Sequence, residues 1–534
     1  MATVRDATFE LLRSRGMTTI FGNPGSTELP MLAGFPADFS YVLGLHESVV
    51  VGMADGYAQA SGRPTLVSLH TAPGVGNAVG GIVNAQANKS PLVITAGQQV
   101  RPHILIEATL TNRDATAVAQ THVKWSHEPA RPQDVPGAIA RAIHHASLPP
   151  RGPVLVSVPM DDWDVEADED RSANAVRRVV NGRAAADPEA LERLASALQQ
   201  ARDPVLVAGP DIDATGGWNA AVALAEKLRL PVWAPPATGG GSRLGFPESH
   251  PNFVGILPAT IGPLSHALAG HDLVLVVGSS VFAYYPYVPG PLLPEGASLV
   301  AITSDPREAA RAPMGDAIVG DVALALERLV ALVGESDRPG PRPRPAPGEP
   351  PSGDPVSGSQ VLASLAEVWP EDGIVVAEAP SSTFALRNRL RLSKPGSYYL
   401  SASGGLGFGI SAAVGIQLAQ PTRPVVCVLG EGSAQYGITA LWTAAALKIP
   451  VTFLVLNNGE YMILKSFAET EGVSGVPGLD LPGLDLVAIA RGYGVPSRAA
   501  GDREEITHAL REAIAADDGP RLVQVRIASG MWQE

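Results

Sequence analysis

Two oxygen-bearing side chains stand 27 positions apart, each just past an apolar run. Glu431 follows Val425–Leu429 within Gly430-Glu431-Gly432-Ser433, and Asn458 follows Val451–Leu456 within Asn457-Asn458-Gly459-Glu460-Tyr461. A carboxylate and a carboxamide oxygen on glycine-rich turns suit a hard cation, Mg²⁺ or Ca²⁺. Two protein oxygens leave the coordination shell of Mg²⁺ incomplete, and that ion usually fills it with water and phosphate oxygens. The pattern therefore points to a phosphorylated partner, and Gly430 and Gly432 allow close backbone approach to it. Gly-acid-Gly alone reads far better as a plain strand-end turn. The two turns together, at this spacing, favour a cation site completed by a phosphorylated partner.

Positioning such a pair takes a βαβ unit. Both apolar runs read as buried parallel strands, and Ile438–Leu447 reads as a helix that Pro450 ends. Ligands of open α/β sheets sit beyond the carboxyl ends of the strands. The same alternation recurs along the chain, so the expected fold class is α/β with three doubly wound parallel-sheet domains. The first block, residues 1–180, reads as a helix Asp6–Arg15, a strand Thr18–Phe21, the loop Gly22–Thr27 and a strand Tyr41–Leu45 ending at His46-Glu47. A helix Ser48–Ala60, a strand Thr65–Leu69 ending at His70, a glycine-rich turn Ala72–Asn77 and strands Leu92–Ala96 and Gly152–Val158 follow. At the end of an apolar strand, the Glu47 carboxyl is expected to be desolvated. The second block, 182–340, holds strand runs at Pro204, Leu273 and Leu299 and a helix Pro188–Gln200. Gly209 and the Asp305 turn resemble dinucleotide-binding ends, so a flavin- or nucleotide-binding block is one reading; without a G-x-G-x-x-G, a purely structural block is the favoured one. Residues 334–359, rich in proline and glycine, read as an extended linker. The third block, 355–534, carries the opening motif and a last strand at Leu522–Val525; beyond Ile527 no signal is legible.

The chain has 534 residues and a formal net charge of −14. That balance argues against a nucleic-acid partner, which demands clustered Lys and Arg. The single cysteine, Cys427, lies inside an apolar strand and reads as a small core residue. No apolar run approaches the ~20 residues that span a bilayer, and Met1–Gly16 lacks a signal-peptide core. The expectation is a cytoplasmic protein with no membrane partner.

Taken together, FGNPGSTELP, LHES, ADGYAQASGRP, LHTAPGVGNA, SASGGLGFG and GEGS with NNGEY resemble the thiamin diphosphate-dependent 2-oxo acid decarboxylases over nearly the full length, on the side of the benzoylformate decarboxylases. TAGQQ, KWSHEPA, GPDIDA, EAARAPMGDAI and ALWTAA extend the match. The resemblance implies pyrimidine-binding, middle and diphosphate-binding domains. It implies a homo-oligomer, a tetramer built as a dimer of dimers, with thiamin diphosphate and Mg²⁺ (or Ca²⁺) held between the first domain of one subunit and the third of another. The implied reaction is nonoxidative loss of CO₂ from a small-molecule 2-oxo acid, benzoylformate giving benzaldehyde. Two other outcomes stay open: a decarboxylase or acyloin-forming carboligase for a smaller aliphatic acid, and a weakly active or regulatory homologue.

The same resemblance assigns residues. Glu47 would hydrogen-bond the aminopyrimidine ring. Asn77, the Gly404 carbonyl, Leu406, Gly430, Gly432, Ser433 and Tyr461 would complete the cofactor contacts. Glu431, Asn458 and the Glu460 backbone carbonyl would hold the metal. Ser26 would bind the substrate carboxylate and His70 would move protons. Leu110, Leu400, Met462, Ile463 and Phe467 would wall the substrate pocket. Two positions depart from the family pattern: Glu431 stands where Asp is usual, and Tyr285 stands where a second catalytic His is usual. A phenol titrates far above neutrality and an imidazole near it, so Tyr285 suits hydrogen bonding better than proton shuttling. Met462 and Ile463 are bulkier than the residues usual there and are expected to narrow the pocket.

Overall fold

The computed structural model describes residues 1–237 and 241–532. It contains three six-stranded sheets, and every strand pair within them is parallel. The first comprises β1 (Thr19–Gly22), β2 (Ser40–Leu43), β3 (Thr65–Leu69), β4 (Leu92–Gln98), β5 (Ser126–His127) and β6 (Val154–Pro159), in the order β2-β1-β3-β4-β6-β5. The second comprises β7 (Pro204–Ala208), β8 (Val232–Ala234), β9 (Phe253–Ile256), β10 (Leu273–Val277), β11 (Ser298–Thr303) and β12 (Asp316–Val319), in the order β12-β11-β10-β7-β8-β9. The third comprises β13 (Ile374–Glu378), β14 (Tyr398–Tyr399), β15 (Val425–Gly430), β16 (Val451–Asn457), β17 (Ser497–Ala500) and β18 (Arg521–Arg526), in the order β14-β13-β15-β16-β18-β17.

The first and third sheets thus share one relative strand order, with the first strand lying between the second and third. That reversal makes a crevice at β1/β3 and at β13/β15. The middle sheet has the dinucleotide-fold order and its reversal at β7/β10. Helices cover both faces, so the central strands read as unbroken apolar runs: β3, β4, β7 and β10 are buried at every residue.

The first and third sheets are locked by one helix crossing. The helix Glu47–Ser61 packs on the helix Phe408–Ala419 through glycines. A side chain on Gly415 would overlap the Met53 carbonyl, and one on Gly56 would overlap that of Ala412. One apolar core consequently runs from Phe21 and Val67 through Met53 and Ile410 to Cys427 and Phe453. The middle sheet has its own core and is tied on by ion pairs. Lys89 reaches Asp211 at 2.8 Å and Glu308 at 3.1 Å. Arg243 reaches Asp213 at 2.7 Å, and the buried Arg387 reaches Glu248 at the same distance. The Lys89 and Arg243 pairs border a cavity of about 510 Å³ beside the carboxyl edge of the middle sheet, away from Glu47 and Glu431.

Several segments differ from the sequence expectation. Strand β2 ends at Leu43, so Glu47 is the first residue of a helix rather than a strand end, and His46 caps that helix by accepting from Ser48 N–H. The expected glycine-rich turn after His70 is the start of a 17-residue helix, Thr71–Ala87. Pro73 is tolerated there because the first-turn N–H groups have no helical partner to lose. Gly81 lets that helix lie close against Val51 and the Ser48 carbonyl. The helix expected over Ile438–Leu447 is present as Ala440–Ala446, and a short helix that was not expected, Glu431–Gln435, precedes it. The extended stretch after Gly334 ends before Gly358, because Ser357 caps a helix Gly358–Glu367 with a reciprocal Gln360 bond. It is also tied down: Arg338 donates to the carbonyls of Leu198, Gln199 and Ala201. Residues 528–532 are tied down by backbone bonds from Ala528 to Val356 and from Trp532 to Ser381.

Candidate active site

The carboxyl edge of the first sheet gathers Asn23, Ser26, Thr27, Glu28, Glu47, His70 and Asn77. Glu47 is 9% exposed. Asn23 and Asn77 donate to its two oxygens at 3.2 and 3.0 Å. Beside it, His70 Nδ1 lies 2.9 Å from Glu28 Oε2 and 3.1 Å from Thr27 Oγ1. Glu28 is only 3% exposed and also accepts from the Gly25 N–H at 2.8 Å and the Thr27 hydroxyl at 2.6 Å. Any side chain at Gly25 would overlap the His70 ring, so the Asn-Pro-Gly-Ser turn is shaped around the imidazole. With Nδ1–H directed at a carboxylate, Nε2 is the ring nitrogen left for chemistry. It has no protein partner among the described residues, and Ser26 is exposed on the same loop.

Glu28 was not singled out by the sequence reading. The only signal for it is its place two residues past Ser26, and a buried acid there is indistinguishable in sequence from a solvated one.

The carboxyl edge of the third sheet gathers the second set. The Glu460 N–H donates to Glu431 Oε1 at 3.0 Å and to Asn458 Oδ1 at 3.2 Å, so the two side-chain oxygens converge on one point. Glu431 is 2% exposed. Burial raises its pKa, and the backbone N–H groups of Glu431, Glu460, Gly459 and Asn458 work against that rise. Glutamate is one methylene longer than aspartate, and here it folds back to meet the Asn458 turn. The Glu460 side chain is committed elsewhere, to Lys465 and Ser529, which leaves its backbone carbonyl for a metal.

No cluster of three His, Cys, Asp or Glu side chains able to hold a metal occurs among the described residues. One carboxylate, one carboxamide oxygen and one carbonyl form a low-charge oxygen set, which fits Mg²⁺ or Ca²⁺ only together with further oxygens such as those of a diphosphate. The surroundings suit such a group. A Cβ on Gly432 would stand 2.6 Å from the Tyr461 ring, Ser433 is buried in the first turn after Glu431, and Gly430 closes β15. Residues Ser401–Gly407 form the adjoining wall. Asn84 holds them, accepting from Ser401 and donating to the Gly405 carbonyl at 3.2 Å. Gly404 and Gly407 have φ of +73° and +92°, and between them Leu406 is half-buried.

The pocket-wall residues divide. Met462, Ile463 and Phe467 share one helix, Met462–Thr470, and all are half-buried. Tyr285, 57% exposed, meets the Phe467 ring edge-on with centroids 5.2 Å apart, which brings the middle block to this helix. Leu400 instead packs against the core of the third sheet. Leu110 is 37% exposed in the loop after the short helix Arg101–Ile104, with φ of +70°.

Comparison with known proteins matches this architecture along the chain. Family models described as the N-terminal TPP binding, central and C-terminal TPP binding domains of thiamine pyrophosphate enzymes match residues 2–120, 191–329 and 380–525. A benzoylformate decarboxylase of Pseudomonas aeruginosa is 53% identical over 98% of this chain and 99% of its own length. A putative acetolactate synthase large subunit of Mycobacterium tuberculosis is 32% identical over 96% and 97%. Among solved structures, a thiamine diphosphate-dependent 4-hydroxybenzoylformate decarboxylase of Rhodococcus jostii superposes with a TM-score of 0.96 at 50% identity, covering 99% of both chains. A benzoylformate decarboxylase of Polynucleobacter necessarius does so with 0.95 at 41%, also covering 99% of both. With matched domains at both site-bearing sheets and in the sheet between them, the chain belongs to the thiamine pyrophosphate enzyme family.

Proposed function

We propose that this chain is a carboxy-lyase that removes CO₂ from an aromatic 2-oxo acid, benzoylformate giving benzaldehyde. The observation that carries the proposal is the Glu28–His70 pair beside Ser26 and Glu47 on one sheet edge. A retained imidazole, oriented by a buried carboxylate, is an acid–base device that a merely regulatory fold has no use for. Thiamin diphosphate, when bound, supplies the electron sink for the bond that breaks. The chain's own residues do the rest. Glu47, held by Asn23 and Asn77, presents its carboxyl to the pyrimidine side of the cofactor. Glu431, Asn458 and the Glu460 carbonyl hold the metal, with Gly430, Gly432, Ser433 and Tyr461 around the diphosphate. Gly404 and Leu406 support the rings. The Ser26 hydroxyl orients the substrate carboxylate, and His70 Nε2 gives and takes protons. Tyr285 donates a hydrogen bond at the outer wall, with Met462, Ile463 and Phe467 beside the substrate ring.

Within one chain no hydrogen bond or ion pair joins the Glu47 set to the Glu431 set among the described residues. That separation supports a cofactor shared between two subunits and a homo-oligomer, a dimer at least and a tetramer in the family pattern. No described helix is long and apolar enough to cross a membrane.

The test is CO₂ release with added thiamin diphosphate and Mg²⁺ across a panel of 2-oxo acids, with benzoylformate expected to have the highest kcat/KM. Absence of turnover with every acid would overturn the enzymatic reading. A second reading, a smaller aliphatic substrate, is favoured by the Tyr285–Phe467 contact and by Met462 and Ile463, which narrow the outer wall. Preference for a pyruvate-sized acid in the same panel would establish it. Glu47→Gln should stop C2 proton exchange of bound cofactor, followed by NMR, and leave the fold intact.

A further inference from the structure

Two acids stand at the strand-order reversal of the third sheet. Glu431 follows β15 and belongs to the metal-binding set. Glu378 is the last residue of β13 and takes no part in the site described above. It is 4% exposed, and neither of its carboxyl oxygens has a hydrogen-bond partner among the described residues. Its oxygens face the first turn of the helix Phe408–Ala419, toward the amides of Gly407, Phe408, Gly409 and Ile410, without reaching hydrogen-bond geometry. A Cβ on Gly409 would lie 3.2 Å from Glu378 Oε2 and 2.7 Å from its Cβ, so a glycine is what lets the acid lie against this turn. Across the strand pair, the titratable group facing it is the buried thiol of Cys427 on β15, and Glu378 contributes to that thiol's upward shift.

An unpaired buried acid costs folding free energy, and an apolar side chain of like size would not. Its presence beneath the loop Gly404–Gly407 therefore calls for a functional account. We propose that Glu378 is a positioning residue. Its carboxyl dipole, facing the amides of the first turn of the Phe408–Ala419 helix across the Gly409 contact, biases that turn, and through it the loop Gly404–Gly407, toward the placement that receives the thiamin diphosphate rings. The proposal rests on the cofactor reading above and assigns it a residue that touches neither cofactor nor substrate.

The test pairs Glu378→Leu with Glu378→Gln. Cofactor affinity is read by tryptophan fluorescence at saturating Mg²⁺, and thermal unfolding is read without cofactor. The leucine variant is expected to melt at or above the wild-type temperature yet bind thiamin diphosphate about tenfold more weakly, while the glutamine variant, which keeps an acceptor oxygen, stays within about threefold of wild type. Unchanged affinity in Glu378→Leu would overturn the proposal. So would a loss of affinity accompanied by a lowered melting temperature, which marks general damage. If the leucine variant is not recovered folded, Glu378→Met supplies the same comparison. Failure of the wild-type protein itself to bind thiamin diphosphate would sink the cofactor reading instead, so the two failures are distinguishable.

Discussion

A buried carboxylate behind an imidazole does two things at once. It fixes which ring nitrogen carries the proton, and it holds the ring plane. Glu28 does both for His70, and it is itself held by Gly25 and Thr27. Glu28→Gln keeps an acceptor and removes the charge, so the expected outcome is a fall in kcat of about 10- to 100-fold with KM little changed, read from steady-state rates on benzoylformate. Equal kcat in the two proteins would strip Glu28 of its orienting role. Tyr285 calls for the opposite experiment. Its phenol meets the Phe467 edge at a position where the family pattern has an imidazole, so Tyr285→His should raise kcat if a second proton shuttle limits turnover. A drop would give the phenol a function of its own. Glu431 was legible in the sequence because a polar group directly after an apolar strand run stands out, whereas the roles of Ser26, Glu47 and His70 were legible through the motifs around them. Glu28 and Glu378 were not, because burial of an acid is set by partners distant in sequence: His70 for one, the Gly407–Ile410 turn for the other.

At the scale of elements, the parallel strands were readable because burial on both faces writes an uninterrupted apolar run, as in Leu273–Val277 and Val451–Leu456. Helix starts were less so. Thr71–Asn77 carries Pro and three Gly or Ala neighbours typical of a turn, yet it is a helix, since a first turn loses nothing to proline. The same logic places Glu378 against a helix start, where it has a measurable consequence. Burial pushes its pKa up to about 8 from 4.5. The folded state then holds a proton that the unfolded chain has already released, so stability is highest below about pH 4.5, falls as pH rises toward 8, and levels off above that. Glu378→Gln removes this slope. Its melting temperature should therefore match wild type at the acid end of the accessible range and exceed it by a growing margin up to about pH 8, a difference of a few kcal/mol in unfolding free energy at the top. Parallel melting curves across that range would show that Glu378 is not held neutral.

At the scale of the whole molecule, the first and third sheets share one strand order and each gathers one set of candidate groups at its carboxyl edge, half of the proposed site: Glu47 with His70 on one, Glu431 with Asn458 on the other. Their packing through Gly56 and Gly415 fixes the halves relative to each other within a chain, and it leaves them without a direct bond. If each working site takes the Glu47 half from one subunit and the Glu431 half from another, variants crippled in different halves should rescue each other. Glu47→Gln and Glu431→Ala should each be inactive when expressed alone. Expressed together in one cell, random pairing makes about half of the dimers mixed, and each mixed dimer has one site with both halves intact, so about a quarter of the wild-type activity should return. The recovered activity should carry wild-type KM, because the restored site contains no altered residue. Two variants crippled in the same half, Glu431→Ala with Asn458→Ala, should give no such recovery and serve as the control. Absence of rescue in the mixed pair, with both proteins folded and co-purifying, would place the complete site within a single chain and remove the reason for an obligate dimer.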